Sequence, residues 1–233
     1  MKTVYPYENL GHANFGWLDA RHHFSFGRYY NPERMGFGAL RVINDDRISA
    51  GAGFDMHQHK DMEIITFVRE GAITHRDSRG NEGRTEAGSV QVMSAGTGIY
   101  HSEYNMESVD TTLFQIWIMP NENGVTPRWD MATFSNRAAN DTLPLLVSGR
   151  KEDEGRGALF IHQDAAIYGG TMKAGQSITQ PLKELGYLVV SQGEIEVDGT
   201  KLGKGTGVEI TDAKSVTIKA GTDAEVILID TPE

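Results

Sequence analysis

The sequence predicts an all-β protein built as two tandem barrel or jelly-roll lobes, and three observations carry that expectation. Short β-type runs recur throughout the 233 residues, punctuated by 27 glycines and by Asn and Asp turns. Long stretches with helical hydrophobic spacing are hard to find. The order strand, Gly, strand, turn, Gly, strand also occurs twice along the chain.

In chain order, an aromatic segment "GWLDARHHFSFGRYYNPERMGFG" precedes the run "ALRVIN", and "EIITFV", "SVQVMS" and "TLFQIWIM" follow. The second half offers "YLVV", "EIEV", "SVTIKA" and "AEVILID". All are rich in the β-branched and aromatic residues that fit a pleated, half-buried surface. The repeat sets Gly71 against Gly193 and Gly88 against Gly205, with five residues fewer in the second turn. Two lobes follow, at about 1–130 and 140–233, joined by the polar "NRAANDTLP" and followed by the charged loop "SGRKEDEGRG". "GTKLGKGTG" lacks the glycine spacing and following helix of a phosphate loop and reads as a turn.

A formal charge of −10, from 22 basic and 32 acidic residues, gives no electrostatic reason for direct contact with nucleic acid or an anionic membrane. The N-terminus lacks the apolar stretch of a signal peptide, and "LFQIWIM", interrupted by a Gln, is far short of a span. The chain is therefore expected to be a soluble cytoplasmic monomer. It has no cysteine, so thiolate ligands and thiol nucleophiles are excluded and any metal must be held by His, Asp, Glu or amide oxygen.

Among eight histidines, His57 and His59 stand one residue apart in a run that reads as strand. Alternate strand residues share a face about 6.6 Å apart, so two imidazoles can converge on one cation with bonds of ~2.1 Å. A lone pair of this kind is usually two solvated or core histidines. In "GTGIYHSEYN", however, His101 and Glu103 repeat the spacing, with Asn105 on the same side. Two such pairs suit a mononuclear site between neighbouring strands. In the second copy the matching positions are Thr179, Pro181, Ile218 and Ala220, which cannot form one. His22 and His23 lie in the aromatic segment and His12 just before it, and all three are read as packing over a barrel. His75 is read as the approach to a hairpin, and His162 as a structural hydrogen-bonder.

The segment Gly51-x5-His57-x-His59-x3-Glu63 resembles the first motif of the cupin superfamily, and Gly88-x5-Ser94-Ala95-Gly96-x4-His101-x3-Asn105 resembles the second. Seven residues separate Glu63 from Gly71 where six are usual, and Ser94 replaces a proline. With "GWLDARHHFSFGRYYNPERMGFGALRVINDD" upstream and "VQVMSAGTGIYHSEYN" downstream, the chain resembles the pirins, bicupins in which only the N-terminal lobe binds metal. "IHQDA" near residue 161 extends the resemblance into the second lobe.

Carried over by position, the family's ligands match His57, His59, His101 and Glu103, which leaves Glu63 a supporting role. The resemblance implies quercetin 2,3-dioxygenase activity: O₂-dependent ring opening of a flavonol with release of CO, with Glu103 as base for the flavonol 3-hydroxyl. Fe(II) is the expected metal, and Ni, Co, Mn, Cu or Zn could occupy the same shell. Two other readings use the same site: an iron-dependent redox sensor acting on a regulatory protein partner, or metal-dependent isomerase or hydrolase chemistry on a small metabolite, which anaerobic turnover would favour.

Overall fold

The structure, a computed structural model, describes residues 1–135 and 137–233; Asn136, the first residue of the polar connector, lies outside the described residues. Among the described residues the only helical elements are the 3-10 turns Tyr7–Asn9 and Lys151–Asp153. No helix is long and apolar enough to cross a membrane.

The strands form four sheets. A seven-stranded sheet runs, in spatial order, Arg128–Thr133, Ser89–Ser94, Glu63–Glu70, Thr111–Ile118, Leu40–Ile48, Leu18–His22 and Gly11–Asn14. Against it packs a four-stranded sheet ordered Gly53–His59, Ile99–Tyr104, Ala72–Asp77 and Glu82–Glu86. The second half repeats the pair. Its larger sheet runs Lys2–Tyr5, Gly207–Ile210, Leu185–Gln192, Ala224–Thr231, Ala166–Met172, Leu145–Ser148 and Leu159–Phe160, and its smaller one Ser177–Pro181, Ser215–Ala220, Glu194–Val197 and Thr200–Gly203. This is the bicupin architecture expected from the repeat. The aligned glycines share one backbone state, with φ of 73° and 76° at Gly71 and Gly193 and of 89° and 77° at Gly88 and Gly205. Side chains with a Cβ rarely adopt that state, so these turns need glycine.

The two seven-stranded sheets pack on each other. Ile43, Phe67, Phe114 and Ile116 of the first share one core with Val147, Ile167, Tyr187 and Ile229 of the second. Sheets covered on both faces need apolar residues at successive positions, which is why Ala224–Thr231 is buried at all eight residues. The second lobe's interior is a continuous apolar core that includes Ile178, Leu188, Val208, Ile218, Ala220 and Leu228. Ile218 and Ala220 lie where the repeat places them. Thr179 and Pro181 do not: they are exposed, and Ile178 and Gln180 face inward. Ile178 pairs with Ile218 as His57 pairs with His101. A one-residue slip turns every strand side chain to the opposite face, so the alignment through Gly193 fails before it reaches that strand.

The first strand, Lys2–Tyr5, crosses to pair with Gly207–Ile210 of the second lobe. Arg34 locks this crossing. Its guanidinium pairs with Glu209, donates to the His23 carbonyl and to the Tyr187 hydroxyl at 3.0 Å each, and stacks 3.4 Å over the Tyr5 ring. His23 is buried in the same seam with its Nδ1 3.0 Å from the Tyr187 hydroxyl. Burial, then the charges of Arg34 and His22, push its pKa down to about 3.

The unfolded chain protonates this imidazole near its ordinary value of 6.5, whereas the folded chain holds it neutral to about pH 3. The stability that His23 contributes is therefore complete above pH 6.5 and is lost as pH falls towards 3. The free-energy difference between wild type and His23→Phe, measured by denaturant titration, should shift against the wild type by about 1.4 kcal/mol per pH unit between pH 6 and 4. A pH-independent difference would show that the imidazole takes up its proton without unfolding.

Candidate metal centre

The interior of the first lobe is divided. Leu18, Ala20, Ile48, Val68, Ile73 and Leu113 form an apolar cap at one end, and Ile64, Met93, Ala95 and Ile99 form another. Between them a polar row crosses five strands in register, pairing His22 with Asn44, Asn44 with Gln115, Gln115 with Thr66 and Thr66 with Gln91. Thr66, Gln91 and Gln115 each break an otherwise apolar run, and Asn44 ends one.

Facing this row, strands Gly53–His59 and Ile99–Tyr104 pair antiparallel with His57 opposite His101 and His59 opposite Ile99. The register shifts between His101 and Glu103, which sets Glu103 opposite Phe54. Such a bulge resets strand parity, so Phe54 and His57, three residues apart, line the same cavity. His57, His59 and His101 form a triangle with ring centroids 4.8, 4.5 and 5.0 Å apart. One nitrogen from each falls within 4.8 Å of the others.

His57 donates from Nδ1 to the Asp55 carbonyl at 2.6 Å, which leaves the Nε2 lone pair free. That Nε2 stands 3.1 Å from Nε2 of His101. Two nitrogens each ~2.1 Å from one ion lie about 3 Å apart when they subtend roughly a right angle at it, so the donors fit a transition metal. His59 packs edge-on against Trp117 with centroids 4.9 Å apart. Burial, then the neighbouring imidazoles, push the pKa of His59 down to about 4 and that of His101 to about 3. Both rings are thus held in the neutral form that a metal requires.

Glu103 lies beside this triangle rather than in it. Its carboxylate groups with His101 and His75, all three buried. Oε1 accepts from Gln91 Nε2 at 2.6 Å and Thr66 Oγ1 at 3.0 Å, and Oε2 accepts from Gln115 Nε2 at 2.6 Å. Gln91 is oriented in turn, because its Oε1 accepts from Thr85 and Trp129 and its amide must point to Glu103. Asp46, on the same wall, has no hydrogen-bond partner for Oδ1 among the described residues. Burial, then Asp45 and Glu103, push its pKa well above the usual carboxylate range.

Glu63 and Asn105 point elsewhere. The Glu63 carboxylate accepts from the Ser94 hydroxyl at 2.8 Å, and burial raises its pKa. The break between Gly53–His59 and Glu63–Glu70 removes the shared parity that would have aimed it at the histidines. Asn105 donates to the carbonyls of Ile48 and Val109 and holds a turn. His162 makes its structural bond through the backbone: its carbonyl accepts from the Asn121 amide at 2.7 Å.

Other residues gain roles that the sequence did not reveal. His75 does lie on the strand that enters the hairpin to Glu82–Glu86, but it is fully buried there behind His101. The aromatic segment does pack over the barrel, and there it shapes a ligand space: Trp17, His22 and Phe26 join Phe54 and Trp117 around a cavity of about 410 Å³ whose polar end carries the three histidines and Glu103.

The Pirin family model matches residues 4–118, and the model for the quercetinase C-terminal cupin domain matches residues 145–231. A pirin-like protein of Caulobacter vibrioides is 49% identical over 97% of both chains. The chain belongs to the pirin family. A quercetin 2,3-dioxygenase of Escherichia coli K12 is 48% identical over 95% of both chains. Among solved structures, the bacterial pirin YhhW of Escherichia coli in complex with nickel(II) superimposes with a TM-score of 0.92 at 43% identity, covering 100% of this chain and 99% of that one. Pirins so similar along their full length share the bicupin fold described above, and quercetinase-like oxidoreductase chemistry is the activity named among them.

Proposed function

We propose that this pirin is a metal-dependent dioxygenase that opens the ring of flavonols such as quercetin with O₂ and releases CO. The observation that carries the reading is the placement of three imidazoles and a hydrogen-bonded carboxylate at one end of a cavity lined by Trp17, Phe26, Phe54 and Trp117. His57, His59 and His101 would hold the metal, with Glu103 beside them as the fourth, carboxylate ligand. Nitrogen and oxygen donors suit Fe(II), and Ni(II), Co(II), Mn(II) or Cu(II) fit the same donors. The metal, when bound, would acidify a coordinated hydroxyl and bring substrate and O₂ to one centre.

The protein's own share is positioning and proton transfer. Aromatic walls sandwich a planar ring system and exclude water. Both lone pairs of Glu103 Oε1 are taken by Gln91 and Thr66, while among the described residues Oε2 accepts only from Gln115. Oε2 is therefore the atom that receives the flavonol 3-hydroxyl proton, and the fixed amides keep it aimed there. Among the described residues Gln115 Oε1 has no hydrogen-bond partner, so a turned amide could accept from the carboxyl once it is neutral.

The test is O₂ consumption on adding quercetin to metal-loaded protein. Wild type should consume O₂, and Glu103→Gln should retain its metal while losing about 10²-fold or more in kcat. Metal-loaded wild type that consumes no O₂ would overturn the dioxygenase reading.

A further inference from the structure

His75 stands directly behind His101. It lies on strand Ala72–Asp77, which pairs with Ile99–Tyr104 so that His75 is opposite Glu103 and Asp77 opposite His101. His75 Nε2 is 2.9 Å from Asp77 Oδ2, and both side chains are completely buried. His75 Nδ1 is 3.4 Å from His101 Nδ1. On its other side, His75 stacks on Trp129 with centroids 5.0 Å apart and rings within 9° of parallel. The cross-strand partner of His75 is Gly83, where any Cβ would overlap the Trp129 ring, so the missing side chain makes room for the stack.

The hydrogen bonds fix every proton in this line. Asp77 is an acceptor: burial pushes its pKa up, but hydrogen bonds from His75, from the Asn81 side chain and from the Asn81 and Arg79 amides outweigh this and hold it below its ordinary value. His75 in its neutral form must then carry its proton on Nε2 and donate to Asp77, which leaves Nδ1 an acceptor. His101 must donate to it from Nδ1, and a neutral imidazole that donates from Nδ1 presents a lone pair at Nε2. That Nε2 is the atom facing His57.

We infer that Asp77 and His75 form a positioning relay that sets the tautomer and ring plane of His101, so that its Nε2 lone pair is directed at the metal. The inference rests on the reading of His57, His59 and His101 as ligands. It assigns a function to a buried His–Asp pair that makes no contact with the substrate cavity. The same relay ties the centre to Trp129, which also orients Gln91 towards Glu103. One indole on strand Arg128–Thr133 thus supports both a histidine ligand and the carboxylate.

Two variants test the relay with Co(II) and Ni(II) added to metal-free protein in competition with a chelator. His75→Phe keeps a ring against Trp129 but removes both nitrogens. Asp77→Asn, with its oxygen retained by the Arg79 and Asn81 amides, turns an NH₂ group towards His75, inverts the tautomer of that ring and places two donors face to face at His101. Both should bind Co(II) and Ni(II) about 10- to 100-fold more weakly than wild type, with an altered Co(II) absorption spectrum and a metal-free melting temperature within a few degrees of wild type. If wild type binds and both folded variants match its affinity and spectrum, or lose affinity only in proportion to lost folding, the relay is overturned. If His75→Phe fails to fold, Asp77→Asn decides alone. Wild type that binds neither ion would instead remove the ligand reading itself.

Discussion

Replacing His101 by alanine should leave a folded chain that retains less than about a tenth of an equivalent of metal. No other side chain touches so much of the centre: its Nε2 is 3.1 Å from His57, its ring is 5.0 Å from His59, and its Nδ1 meets His75. Removal takes away one donor and leaves the His75 Nδ1 without its partner in a buried site, which costs about 1–3 kcal/mol. The decisive comparison is the melting temperature with and without added Ni(II). A ligand that binds only the folded state stabilises it by mass action, by about 4 kcal/mol at a thousandfold excess over Kd. Wild type should show such a rise and His101→Ala none. One equivalent of metal in the variant, with the same rise, would place the metal elsewhere.

Replacing Arg34 by alanine should destabilise the fold more than any change at the cavity. Arg34 is buried, and its removal leaves Glu209 without a counter-charge, the His23 carbonyl without its donor and the Tyr5 ring without its cap. Breaking a buried ion pair from one side costs about 3–5 kcal/mol. For a chain of this length that is a fall in melting temperature of about 6–20 °C. The loss should appear as one transition, because Arg34 joins the first strand, the aromatic segment and the second lobe. A change below about 1 kcal/mol by denaturant titration would mean that the seam holds without it.

These two sites differ in how visible they are in the sequence. His57, His59, His101 and Glu103 stand in strands at short spacing, and strand parity alone brings each pair to one face. Arg34 and Glu209 are 175 residues apart, and nothing local to either marks the other. His75 illustrates the middle case. Its strand was legible, but its role depends on which strand lies beside it, and only the pairing with Ile99–Tyr104 puts it behind His101.

The sequence by itself determined the all-β class, the repeat with its left-handed glycines, the absence of thiolate chemistry and the histidine pairs, because each depends on residue type and on spacing within one strand or turn. It also held a signal that is plain once the sheet is known: Thr66, Gln91 and Gln115 are single polar residues inside apolar runs. Tertiary structure decided what that signal means. Register across four strands gathers those residues with Asn44 into the row beneath Glu103, and a bulge sets Phe54 and His57 on the same face. A one-residue difference in parity likewise puts Ile178, not Thr179, opposite Ile218. Spacing fixes which side chains share a face, but only the pairing of distant strands fixes which faces meet.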